Sequence, residues 1–205
     1  MLTVELDADC VEAGLAAGRL VCPVCGGVLA GWGFARRRWL RAVGGRVSVR
    51  PRRARCGGCG CTHVLLPVVA LARRADVAAV IGAGLEAKAA GRGHRQIATV
   101  LGRPAATVRG WLRRFGSRAE SIRVAFTAVT VQLEPDLVPA GPTGSPVADA
   151  VAAVRAAASA VGRRWPGVVA ALSVWWVAAA LTHGGLLSAT PPTVLINTSR
   201  LWAGL

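Results

Sequence analysis

The sequence predicts an α+β protein that is mostly α. Three observations predict it. Two Cys-x-x-Cys pairs, Cys22-Pro-Val-Cys25 and Cys56-Gly-Gly-Cys59, bracket a stretch with room for strands and a Gly44-Gly45 turn. From Asp76 to Leu133, apolar residues recur at helical spacing. After a Pro- and Gly-rich break, an Ala-rich run follows. The expected order is an acidic N-terminal segment (1–19), a small β zinc ribbon (20–68), a helix-turn-helix domain (74–133), a linker (134–146) and a helical C-terminal region (147–205).

The ribbon rests on its cysteines. In each pair two thiolates converge on one side of a tight turn. The glycines beside them (Gly26, Gly27, Gly57, Gly58) admit positive φ angles. Four thiolates at about 2.3 Å complete a tetrahedral Zn²⁺ shell with no open position, the mark of a structural site. The expected ligands of one Zn²⁺ are therefore Cys22, Cys25, Cys56 and Cys59. Strands are expected from Val28 to Phe34, Arg38 to Val43 and Arg46 to Arg53, the last two joined at Gly44-Gly45. One Cys-x-x-Cys pair alone would suit redox chemistry; two with a hairpin between them favour zinc. Substitution of Cys59 by Cys61 or His63 stays open. Cys10 lies in an acidic segment and is expected to hold no metal.

Charge points to the partner. The formal net charge is +15 and the pI about 11.6, carried by 24 Arg and one Lys. The abundance of Ala, Arg, Gly and Val is that of a GC-rich genome, which explains Arg over Lys but not the clustering. Residues 36–55 hold nine arginines; residues 92–123 hold eight against Glu120 alone. Two basic blocks predict two surfaces facing a polyanion, double-stranded DNA first and anionic membrane second. In the ribbon, Arg36, Arg37, Arg52 and Arg53 are the candidate DNA contacts.

Next come the helices. Asp76 is expected to cap a helix that runs to about Ala90 and stops at Gly91. Its Val77, Val80, Ile81, Gly84, Leu85 and Lys88 share one face. Arg95 to Leu101 forms a short helix, Gly102 the turn, and Pro104 opens a second helix. Val108, Trp111, Leu112 and Phe115 line that helix's inner face. This is helix-turn-helix spacing, homeodomain-like in fold. The opposite face carries Ala106, Arg109, Gly110 and Arg113, with Thr107 beside it. Small residues let a helix sit deep in a major groove while arginines reach guanine edges or phosphates. Arg109 is expected on bases, Thr107 and Arg113 on either, and Arg95, Arg103 and Arg114 on phosphate. Ser117-Arg-Ala-Glu120 has the form of a capping box, opening a helix with Ile122, Phe126, Val129 and Leu133 inward.

Residues 134–146 read as a linker, and Ser145-Pro146 starts an Ala-rich helix to about Val161. The apolar stretch 168–187 raises the alternative of a membrane anchor. Its compact part, 168–181, is shorter than the roughly 20 residues a span needs, so a buried helix or oligomer contact is expected there instead.

The phrases "AGRLVCPVCGG", "RPRRARCGGCGCTHVLLP", "RRADVAAVIGAG" and "GHRQIATVLGRPAATVRGWLRRF" resemble a family of actinobacterial mobile-element proteins with an N-terminal zinc ribbon, domain of unknown function 6431. The chain is also similar to the N-terminal modules of insertion-element transposases. The resemblance covers about residues 10–120. It implies DNA binding in transposition or in control of a transposase gene, with a transposase or recombinase as partner. Ten acidic residues, scattered and partly claimed by caps, provide no Mg²⁺-holding cluster, so the expectation is a binder and not an enzyme. A homo-oligomer is a further expected partner, and a DNA-binding fragment of a transposase a further reading. The acidic start lacks the apolar run of a secretory signal, so a cytoplasmic, nucleoid-associated place is expected.

Overall fold

The structure is a computed structural model that describes residues 2–139, 141–166 and 173–188. It is a mixed α+β fold with a small sheet, a separate hairpin and a larger body of helices.

Strand β1 (Leu2–Val4) and helix α1 (Ala8–Ala16) come first. The helix opens at Asp7, whose carboxylate accepts from the Asp9 N–H at 2.9 Å. Strands β2 (Leu29–Phe34), β5 (Arg52–Cys56) and β6 (Thr62–Pro67) pair antiparallel, and β1 joins β6 in parallel to give the order β1-β6-β5-β2. Val11 and Leu15 of α1 pack with Leu29, Ala54, Cys56 and Leu65 into a small core on one sheet face. The acidic segment is thus part of the sheet's structure.

Strands β3 (Arg38–Ala42) and β4 (Gly45–Val49) form a hairpin of their own. The expected strand from Arg46 to Arg53 is two strands, because Pro51 offers no N–H to a ladder and the chain changes sheets there. The hairpin turn is Val43-Gly44, one residue earlier than the glycine pair, with Gly44 at φ 70°. Leu40 and Val49 sink into the core of the helices rather than that of the sheet. The Arg41 N–H donates to the Ala75 carbonyl (2.8 Å), and the Arg41 carbonyl accepts from the Val77 N–H (3.1 Å).

Helix α2 (Ala78–Ala89) buries Val80, Ile81, Gly84 and Leu85, while Lys88 is exposed. Asp76 does not cap it: Val77 holds the cap position without a side-chain bond, and Asp76 is turned inward. Helix α3 (His94–Leu101) ends at Gly102, which takes the left-handed conformation at φ 60°. Helix α4 (Ala105–Gly116) follows Pro104 and buries Val108, Trp111 and Phe115. No capping box forms at Ser117; its hydroxyl donates back to the Arg114 carbonyl, and Glu120 pairs with Arg123.

Helix α5 (Ala119–Leu133) makes its most extensive contact with α6 (Pro146–Arg164), sharing a core of Ile122, Phe126, Val129, Val154, Ala157 and Val161. The Ser145 hydroxyl caps α6, accepting from the Ala148 N–H at 3.4 Å. Helix α7 (Val174–Leu181) is buried through Trp175, Val177, Ala178, Ala179 and Leu181. The membrane-anchor alternative at 168–187 falls partly outside the described residues; what is described of it is core. Among the described residues, no helix is long and apolar enough to cross a membrane. Trp175 lies flat on α2 because position 82 is glycine; a Cβ there would sit 2.0 Å from the indole. The stretch past Pro191 lies outside the described residues.

Candidate metal centre and basic helix face

The two Cys-x-x-Cys turns are built to one backbone pattern. The Gly26 N–H donates to the Cys22 carbonyl (2.8 Å) and the Gly60 N–H to the Cys56 carbonyl (3.1 Å). The Cys22 N–H then donates to the Gly27 carbonyl and the Cys56 N–H to the Cys61 carbonyl, at 2.8 and 2.9 Å. In each turn the positive φ falls on the glycine after the second cysteine, Gly26 (73°) and Gly60 (71°). Gly27, Gly57 and Gly58 do not need it. Gly27 matters for space instead, since a Cβ there would lie 3.0 Å from the Cys56 sulfur.

This pattern brings the four sulfurs of Cys22, Cys25, Cys56 and Cys59 within 4.8 Å of one another. Cys25 and Cys56 sulfurs are 3.4 Å apart, Cys22 and Cys59 sulfurs 3.7 Å. A tetrahedron with arms of about 2.3 Å has edges of about 3.8 Å, so the spacing fits a metal ion. It is far too long for a disulfide. The Cys59 N–H points at the Cys56 sulfur and holds that thiol down at about 6, while side-chain bonds to Cys25, Cys61 and Cys22 push the Cys59 thiol up, so the four crowded sulfurs do not all favour the thiolate without a cation among them. The cluster is compatible with a single zinc site.

Cys61 occupies the pairing position that Gly27 takes in the other turn, and its side chain is exposed, outside the four-sulfur cluster. His63 is closer than its position after the turn suggests. It is buried, with Nε2 3.3 Å from the Cys22 sulfur, and burial keeps its ring below the usual histidine range. The neutral ring can donate to that sulfur, orienting it from outside the cluster. Strand alternation carries the signal: His63 pairs with Ala54 on the face where Cys56 is buried. Cys10 is exposed, and a hydrogen bond to Glu5 pushes its thiol up to about 11, which makes it a poor ligand.

Asp76 is the residue that sequence reasoning misplaced. It is fully buried, and its two carboxylate oxygens each accept from an arginine at 2.6 Å: Arg41 of the hairpin and Arg103 of the α3–α4 turn. Arg103 also donates to the carbonyls of Ala42 (2.9 Å), Leu101 (3.1 Å) and Gly102 (3.2 Å). Arg103 was expected on phosphate; its guanidinium is instead spent inside the fold. One carboxylate therefore ties the hairpin between the cysteine pairs to the turn between two helices.

On α4 the two faces divide as expected. Val108, Trp111 and Phe115 are buried; Arg109, Arg113 and Arg114 are exposed, and with Ala106 and Gly110 they line a concavity. Among the described residues Arg109 and Arg113 have no hydrogen-bond or ion-pair partner, whereas Arg114 donates to the Gly110 carbonyl. Thr107 is half-buried, and Arg95 is exposed on α3.

The ribbon arginines differ among themselves. Arg36, Arg37 and Arg53 are exposed and have no partner among the described residues. Arg52 is not available as expected: it pairs with Glu12 (2.6 Å), donates to the Gly33 carbonyl (2.7 Å) and lies over the Phe34 ring. Gly31 leaves room for it.

Residues 22–103 match the family model described as Domain of unknown function (DUF6431), the family that the phrases of the sequence resemble. The matched run opens on the first metal-cluster cysteine and closes on Arg103 of the buried clasp. No curated protein and no solved structure matches the chain significantly.

Proposed function

We propose that the chain is a zinc-containing, sequence-specific DNA-binding protein. In this reading the cysteine cluster and its sheet are a zinc ribbon, and α3 and α4 are a helix-turn-helix, homeodomain-like in plan. The observation that carries it is the split surface of α4. Trp111 and Phe115 anchor one face, while unpaired Arg109 and Arg113 flank Gly110 on the other. Such a helix can enter a major groove with two guanidinium forks aimed at guanine edges or phosphates.

Each residue has a distinct task. Arg109 reads bases, Arg113 and Thr107 bases or phosphates, and Arg95 and Arg114 phosphates. Arg103 and Asp76 hold the turn that sets the angle of α4. Bound zinc would fix the ribbon's backbone through Cys22, Cys25, Cys56 and Cys59, and supply no reactivity.

A binder rather than an enzyme is supported by where the acids lie. Asp76, Glu12, Glu86, Glu120 and Glu134 are each ion-paired to arginine, which leaves them poorly placed to gather Mg²⁺. The resemblance to mobile-element proteins supports the role of an accessory factor or regulator, at work on the nucleoid in the cytoplasm, acting with a transposase or recombinase. A homo-oligomer would suit a two-fold target site.

Selection of bound sites from random duplexes, followed by titration at several salt concentrations, tests the reading. Affinity should fall with a log–log slope near −0.9 per neutralised phosphate. Absence of binding in dilute buffer would contradict it.

A further inference from the structure

The α4 face accounts for one basic block; the other includes the segment from Trp32 to Trp39. Among the described residues, the exposed aromatic side chains are Trp32, Phe34 and Trp39, at 54%, 49% and 57% exposure. The other described Trp and Phe residues are buried or half-buried. Within that segment sit Arg36 and Arg37, both exposed and unpaired. Large rings held in water among arginines, with no acid between them, form a surface that nothing in the fold requires.

Strand register places Trp32. Leu29, Ala54, Cys56 and Leu65 point to the face that α1 covers. Ala30 lies opposite Arg55, and Arg53 opposite Val64, so these point to the other face. The Arg55 guanidinium stands 4.9 Å from the centre of the Trp32 ring, which fixes Trp32 on this open side. Arg53 is exposed there without a partner. Phe34 differs: Arg50 and Arg52 both stack on it at 4.7 Å, and its ring is already used.

An aromatic ring among unpaired arginines complements a base face and its phosphates. A duplex hides its base faces; unpaired nucleotides present them. We propose that this open ribbon surface binds single-stranded nucleic acid. Trp32 on the open sheet face and Trp39, exposed on the separate hairpin β3–β4, each offer a ring to a base, and Arg36, Arg37 and Arg53 face the phosphates, while Arg55 backs the Trp32 ring and donates to the Gly60 carbonyl. This second site goes beyond the duplex-reading helix and takes a different form of nucleic acid, as at a frayed or melted DNA end.

The test uses the full zinc-loaded chain with three probes: oligothymidine, a duplex carrying the selected site, and anionic phospholipid vesicles. Oligothymidine should bind and quench tryptophan fluorescence. A Trp32→Ala, Trp39→Ala double variant should lose at least about thirtyfold in oligothymidine affinity, the low end of what two base stacks supply, along with the quenching. Its duplex affinity should hold, and Trp→Phe at both positions should restore most of the loss. Arg109→Ala should show the reverse pattern. Duplex binding without oligothymidine binding or quenching overturns this proposal and leaves the helix reading standing. Binding to neither nucleic acid ends both. Tryptophan-dependent binding to vesicles in place of oligothymidine also overturns it.

Discussion

The sheet around the cysteines and the body of helices hold together by different means. The sheet's own core is small: Val4, Val11, Leu15, Leu20, Leu29, Ala54 and Leu65 beside two cysteines. The helices share a far larger core that includes Trp111, Phe115, Phe126 and Trp175. A core of the first size cannot offset the entropy of ordering its strands without a staple, whereas the second can. The hairpin β3–β4 sharpens the contrast. In sequence it lies between the cysteine pairs, yet Leu40 and Val49 belong to the helical core. Chain order and energetic allegiance are therefore different things in this molecule.

The largest expected effect comes from removing metal. Structural zinc supplies roughly 10–16 kcal/mol of apparent folding free energy in small domains. A strong chelator should melt β2, β5 and β6, seen as proteolytic cutting near the cysteine turns, and leave the helical far-UV signal in place. Simultaneous loss of both would erase the distinction.

Next in size is the clasp that ties the hairpin to the helices. Asp76→Ala removes a carboxylate with no exposure and strands Arg103, whose side chain is 13% exposed. Breaking a buried pair of this kind costs about 3–5 kcal/mol, read as a lower denaturant midpoint. It should also free the hairpin from the α3–α4 turn. Gly82→Ala tests the helical core alone. The new methyl would collide with Trp175, at a cost of about 1–3 kcal/mol, with zinc content unchanged. Smallest for stability is Arg109→Ala, expected within about 0.5 kcal/mol of the parent. Its effect belongs to duplex affinity, about 1–3 kcal/mol at its base position.

Much of this was legible in the sequence for physical reasons that differ by region. Short-range rules placed α3, Gly102, Pro104 and the inward set Val108, Trp111 and Phe115, because a helix face depends on local spacing. Cysteine spacing likewise gathered the four sulfurs. What escaped was long-range. Asp76 looked like a cap because caps are local; its partners Arg41 and Arg103 are distant in sequence. Arg52 and Arg103 looked like DNA contacts because charge alone does not say whether a guanidinium faces out. The acidic segment hid β1, whose partner β6 lies beyond the second cysteine pair.

The central claim is that metal holds the sheet while apolar packing holds the helices and the hairpin docked on them. Hydrogen exchange before and after chelation, followed segment by segment, tests it most directly. The account predicts that residues 52–56 and 62–66 lose protection while 38–42, 45–49 and 105–116 keep theirs. Equal loss across the hairpin and the cysteine sheet, or no loss in either, would contradict it.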